Sequence, residues 1–143
     1  MSQEKDWSGI VNDFDRRQDY IVGSETNFII ARELAKLYSL GNILELGCGN
    51  GKYTRQIIHA ADYITATDLS EDMIMVTKQR LADLNNLTIE QADCYKLNYA
   101  DESFDTVFMA NLIHVVLEPE VALAEAERVL KKNGRLIIVS FTT

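Results

Sequence analysis

The sequence has little of what would tie it to a membrane, a secreted scaffold or a polyanion. Its 143 residues include one proline and two cysteines, so no disulfide framework can organise it. Cys48 and Cys94 stand far apart and in no metal-ligand spacing, and no metal site is expected. No apolar run approaches the roughly 20 residues of a membrane span. The opening MSQEKDWSGI lacks the apolar core of a signal peptide. Basic residues are outnumbered, 14 Lys and Arg against 22 Asp and Glu, for a net charge of −8. That mean field repels phosphate backbones and anionic lipid surfaces, so neither nucleic acid nor membrane is an expected partner. The expected compartment is a reducing one, the cytoplasm.

What is present is a globular composition, 47% hydrophobic and 25% charged. The length suits one domain with a core of its own. With proline scarce, glycine, Asn/Asp and Ser punctuate the chain. Residues 1–23 are polar with scattered anchors (Trp7, Ile10, Phe14, Tyr20) and read as a short helix or arm. Residues 25–40 carry Phe28, Ala31, Ala35 and Tyr38 at helical period, with Ile30, Leu34 and Leu37 beside them, closed by Gly41. Strands and helices then alternate. The expected strands are Asn42–Leu46, Tyr63–Thr67, Leu87–Gln91, Phe104–Ala110 and Arg135–Phe141. Helices are expected over about 52–60, behind the N-cap residue Ser70, where Met73, Ile74, Thr77, Leu81 and Leu84 keep a helical spacing, and from Pro119 to about Leu130, with a turn at Asn133-Gly134. Five strands separated by helix-length segments imply parallel pairing through right-handed crossovers. The fold class is therefore α/β, a doubly wound, mainly parallel sheet with helices on both faces. The apolar runs VFMA and LIIV fit strands buried on both sides.

In such sheets ligands sit at the carboxyl ends of the strands, at the switch point. The residues there are distinctive. After strand one comes Glu45-Leu46-Gly47-Cys48-Gly49-Asn50-Gly51, where glycines let a ligand approach the main chain. Asp68 ends strand two, 21 positions beyond Gly47, placed to accept hydrogen bonds from ribose hydroxyls; capping the next helix is its plainer role. Asp93 follows strand three, as a ligand or as a turn residue, and Asn111 follows strand four. The phosphate loop GxxxxGK[ST] fails, since Leu46 replaces its first glycine and Tyr53 follows Lys52. The dinucleotide fingerprint GxGxxG fails in register, with Lys52 where its third glycine belongs. Glu45 is a further misfit for a pyrophosphate and suits a ligand carrying an ammonium and a sulfonium.

ILELGCGNG over residues 43–51 resembles the first motif of the class I S-adenosylmethionine-dependent methyltransferases. ATDLSEDMI, IEQADCYKL, ESFDTVFMANLIHVV and RVLKKNGRLII resemble the family's later segments, in order, over about a hundred residues. The closest likeness is to its small-molecule branch. The resemblance implies a Rossmann-like domain over 42–143 behind an N-terminal helical arm over 1–41, with S-adenosyl-L-methionine as cofactor and a small-molecule methyl acceptor as partner. By the same resemblance, Gly47, Cys48 and Gly49 would hold the methionine part, with Glu45 supporting its ammonium. Asp68 would bind the ribose, Leu69 would pack on the adenine, and Asp93 and the N–H of Cys94 would take adenine nitrogens. The Asn111 region would close over the methionine end, and Tyr20 is a candidate from the arm. No catalytic residue is assigned: His114 is placed either as a general base or as an exposed loop histidine. Both cysteines are expected to be packing residues rather than redox groups.

Family members usually have seven strands, the last two beside strand five. Here the chain stops at Thr143, so strand five is expected at an exposed apolar edge. The expectation is a fragment, or a homodimer in which a second copy covers that edge. The alternatives to methyl transfer are a domain that binds the cofactor without catalysis and a nicotinamide-dependent oxidoreductase.

Overall fold

The structure, a computed structural model, describes residues 26–140. The N-terminal arm with Tyr20, and the end of the chain with Phe141, lie outside the described residues. A helix over 26–35 (α1) leads into β1 (Gly41–Leu46), α2 (Lys52–Ile57) and β2 (Ala61–Asp68). Then come α3 (Glu71–Arg80), β3 (Leu87–Gln91), β4 (Phe104–Ala110), α4 (Pro119–Val129) and β5 (Leu130–Val139).

The five strands form one sheet in the order β3-β2-β1-β4-β5, and every pairing is parallel. The chain winds outward through β2 and β3, then returns to lay β4 against the other side of β1. The switch point therefore falls between β1 and β4, and the crevice opens at their carboxyl ends. Alternation along the central strands feeds two cores. Ile43 and Phe108 face α1, α2 and α3 with Ile57, Ile64, Ile74 and Leu81. Leu44, Leu46, Val107 and Met109 face α4 with Ala126 and Val129. The fully buried Ala122 and Ala126 let α4 lie close to the sheet.

The doubly wound reading holds, and β3 and β4 keep the bounds read from the sequence. Ser70 caps α3 as expected, its hydroxyl accepting from the Met73 N–H at 3.2 Å. Several boundaries differ. α1 ends at residue 35, short of the helical period read as far as residue 40. α2 tightens into a 3₁₀ turn at Ile58–Ala60 and β2 begins directly at Ala61, two residues before the expected start. β5 begins at Leu130 rather than Arg135, because the Ser103 N–H donates to Val129 O at 2.8 Å and draws Leu130 opposite Phe104. The expected Asn133-Gly134 turn becomes an irregularity within the strand, after which Arg135 pairs with Thr106. Gly134 suits it, since a Cβ there would meet Lys131 O at 2.9 Å and Asp105 O at 3.0 Å. β5 is an edge strand, with Leu136 and Ile138 each 41% exposed.

Candidate functional site

The loop after β1 is built around backbone that side chains avoid. Gly47, Gly49 and Gly51 all have positive φ, at 71°, 55° and 85°. Gly51 precedes α2 in the left-handed region, and its missing Cβ makes room for Leu81 Cδ1 (2.8 Å) and Thr77 Cγ2 (3.1 Å) of α3. At Gly49 the opposite holds: a Cβ there would meet nothing within 4 Å. Gly51 is glycine so that the protein can pack, and Gly49 borders open space. The loop is pinned from several sides. Cys48 N donates to Thr67 O at 2.8 Å, Asn50 Oδ1 accepts from Lys52 N at 3.0 Å, and the Thr77 hydroxyl bonds to Gly49 O.

Asp68 closes the arrangement at the tip of β2. Its Oδ2 accepts from Gly49 N at 3.0 Å and its Oδ1 from Ser70 N at 3.1 Å, so the carboxylate is 8% exposed and fixed in orientation. Each oxygen keeps lone-pair capacity for a further donor. Burial pushes its pKa up, against the Ser70 and Gly49 N–H groups that pull it down.

Gly47, Cys48, Gly49, Asp68 and Asn111 line one cavity, joined by Asn50, Lys52, Tyr53, Met73, Ala110, Leu112 and Val115. Asn111 holds φ 58° directly after β4, a conformation asparagine tolerates better than most residues. Its backbone N–H donates to Val139 O at 2.8 Å, while its buried side-chain Oδ1 and Nδ2 have no hydrogen-bond partner. A buried amide left unpaired costs on the order of 1–3 kcal/mol, and this one borders the cavity.

Leu69 and Asp93 come together in a second recess with Gln91, Ala92 and Tyr99. Asp68 and Leu69 are adjacent in sequence, and Ala92 N donates to Asp68 O at 3.0 Å, so the two recesses share a wall. Asp93 is exposed, and its Oδ1 accepts from Tyr95 N at 2.9 Å, the turn geometry its sequence also allowed. The loop that carries it is clamped from below. The Arg128 guanidinium donates to Leu97 O (2.9 Å) and Tyr99 O (2.9 Å), and Leu97 N donates to Glu125 Oε1 (2.7 Å). Tyr95 Oη accepts from Leu117 N at 3.1 Å and links this loop to the one after β4.

Two expected site residues, Cys94 and Glu45, and the candidate His114 sit elsewhere. Cys94 is half-buried against the α4-side core and lines neither recess. His114 is exposed and is not part of the cavity wall. Glu45 is 1% exposed beneath the loop, where its Oε1 accepts from the Thr54 hydroxyl. Burial, with Asp68 nearby, pushes its carboxyl up to about 7. Cys48 is buried at 4% exposure, and burial beside Glu45 and Asp68 keeps its thiol protonated. That suits packing rather than redox chemistry. Among the described residues no cluster of His, Cys, Asp or Glu could hold a metal, and no helix is long and apolar enough to cross a membrane.

The sequence reading missed Tyr53, Met73, Leu112 and Val115 as cavity wall, and Thr54 and Thr77 as supports. Met73 and Thr77 announced themselves only as a helical stripe, and periodicity does not say what a stripe packs against.

The comparisons with known proteins agree with this fold. The chain is 36% identical over 101 residues to the demethylmenaquinone methyltransferase of Clavibacter sepedonicus, covering 71% of this chain and 41% of that protein. It is 31% identical over 116 residues to a ubiquinone/menaquinone biosynthesis C-methyltransferase of Saccharophagus degradans, covering 77% and 47%. The chain thus spans under half the length of these two curated relatives. The crystal structure of a SAM-dependent methyltransferase from Thermotoga maritima superposes with a TM-score of 0.74 at 28% identity, covering 92% of this chain and 58% of that one. The cofactor that the motifs implied, S-adenosyl-L-methionine, is the one its relatives in this fold use. Residues 44–138 match the family described as Methyltransferase domain, and the chain belongs to that family.

Proposed function

We propose that this chain binds S-adenosyl-L-methionine in the cleft above the glycine loop and serves methyl transfer to a small-molecule acceptor. The observation that carries the reading is the cavity at the β1–β4 switch point. One side of it is open main chain at Gly49 and another is the fixed carboxylate of Asp68, with the unpaired amide of Asn111 beside them. A glycine edge admits a ligand to main-chain atoms, and a carboxylate with free lone pairs accepts from vicinal hydroxyls.

In this reading Asp68 holds the ribose, and the second recess of Leu69 and Asp93 takes the adenine. Gly47, Cys48 and Gly49 lie along the methionine part, and Asn111 closes over its end. The cofactor supplies a methyl group on a sulfonium, which is already electrophilic. The protein's part is then to align acceptor and donor and to exclude water, an effect of several kcal/mol. Tyr53, Met73, Leu112 and Val115 form the apolar part of the wall that does so. No general base is assigned. The small-molecule acceptor is supported by the net charge of −8, which disfavours a polynucleotide, and by the quinone-pathway names of the two relatives.

Calorimetry with S-adenosylmethionine, S-adenosylhomocysteine and NAD tests the cofactor, with binding expected for the first two alone. Preference for NAD would overturn the assignment in favour of an oxidoreductase. A labelled-methyl assay over a panel of small phenols, quinols and amines then separates transfer from binding alone.

A further inference from the structure

Glu45 is a carboxylate that a ligand in the cavity would feel but not touch. It is not part of the cavity wall, it is 1% exposed, and the Thr54 hydroxyl of α2 is the side-chain partner that donates to it. Its neighbours across the sheet are apolar, Ala66 on β2 and Phe108 on β4. The titratable groups beside it are Asp68 at the end of β2 and the Cys48 thiol in the loop. Neither can neutralise it, and among the described residues no ion pair reaches it. Nature places such a charge rarely, because an unpaired buried carboxylate is costly.

We propose that Glu45 is a charge-selecting residue, whose buried carboxylate makes the site prefer a ligand of net positive charge, the sulfonium donor, over the neutral thioether it becomes. The proposal rests on the cofactor reading above. S-Adenosylmethionine and S-adenosylhomocysteine share the adenosine and amino-acid contacts and differ by one methyl group and one positive charge. A carboxylate behind the loop, in a low-dielectric surround with little salt screening, acts on that difference and cancels from the rest. Discrimination of this kind promotes product release once the methyl group has left. Because burial holds Glu45 near 7, the charge is present at pH 8 and mostly absent at pH 6. The preference is expected to follow.

The test is calorimetric affinity of both ligands for the wild type and Glu45→Gln at pH 6 and pH 8. The amide keeps an acceptor for Thr54 and removes the charge, and comparison with it subtracts titration of the ligands themselves. In the wild type the affinity ratio of donor to product should be about tenfold higher at pH 8 than in E45Q, and the two proteins should converge at pH 6. Thr54→Val removes the donor that favours the ionised form, so it should move the wild-type rise in the ratio to higher pH. Equal ratios in wild type and E45Q at pH 8 would overturn the proposal, as would a T54V profile that does not move. Should E45Q fail to fold, the T54V profile decides. Loss of binding by the wild type for both ligands would instead overturn the cofactor reading, a separate and recognisable result.

Discussion

Gly49→Ala and Gly51→Ala change the same loop by the same methyl group, and the structure expects them to fail for different reasons. Both glycines have positive φ, 55° and 85°, where an alanine costs about 1–2 kcal/mol. For Gly49→Ala that is the whole folding cost, because the new Cβ meets nothing within 4 Å. At Gly51 the Cβ would stand 2.8 Å from Leu81 Cδ1 and 3.1 Å from Thr77 Cγ2. Both atoms belong to residues packed in the core, with Leu81 3% exposed and Thr77 fully buried. Overpacking of this kind adds about 1–3 kcal/mol. For a domain of this size each kcal/mol moves Tm by roughly 4 °C. Thermal melts should therefore show Gly51→Ala lower by about 10 °C or more and Gly49→Ala by about half that. Calorimetry should show the reverse order of harm. Gly49→Ala puts its methyl group at the open edge of the cavity and should weaken S-adenosylhomocysteine at least tenfold. A Gly49→Ala protein that binds as the wild type does would refute the claim that this edge is where the ligand lies.

The remaining expectations use other parts of the site. Burial raises Glu45 from 4.5 to about 7, so the folded protein holds a proton that the unfolded chain releases, and stability falls as pH rises across that window. Urea melts should show Glu45→Gln removing this fall, worth on the order of 3 kcal/mol at pH 8 and little at pH 5; parallel curves for the two proteins would refute it. Asn111→Gly accepts φ 58° and deletes an amide that has no partner, so stability should hold or rise while ligand affinity drops about tenfold. A loss of stability with unchanged affinity would mean that the amide serves the fold instead. Arg128→Ala removes the donors to Leu97 O and Tyr99 O, and hydrogen exchange should quicken over residues 92–103 with the glycine loop unaffected. Protection that stays put would show the clamp to be redundant.

Legibility in the sequence tracked the range of the interactions involved. Strand positions, the Ser70 cap and the Gly47–Asp68 spacing follow from local pattern and backbone chemistry, and they pointed to the carboxyl ends of the strands, where a cavity lies. What was not legible depended on how elements cover one another. Glu45, two residues before the first glycine, reads like a ligand group, yet the strand's alternation sets it beside Ile43 on the face that α2 covers, under Thr54. Thr77 reads as one step of a helical stripe, and only the packing of α3 on the loop turns its hydroxyl toward Gly49 O. Asn111 reads as a site residue from its place after β4, but nothing local announces its positive φ or its unpaired amide. β5 starts early because a single main-chain bond from Ser103 overrides the Asn133-Gly134 turn signal. The unread features share a character. Buried Glu45, buried Asp68, the stranded Asn111 amide and the strained backbone each oppose folding, and they gather around one cavity. Scattered, they would be separate defects. Together they describe the negative of a ligand: cationic where the carboxylates lie, hydrogen-bonding where the amide waits, and slim where Gly49 leaves room.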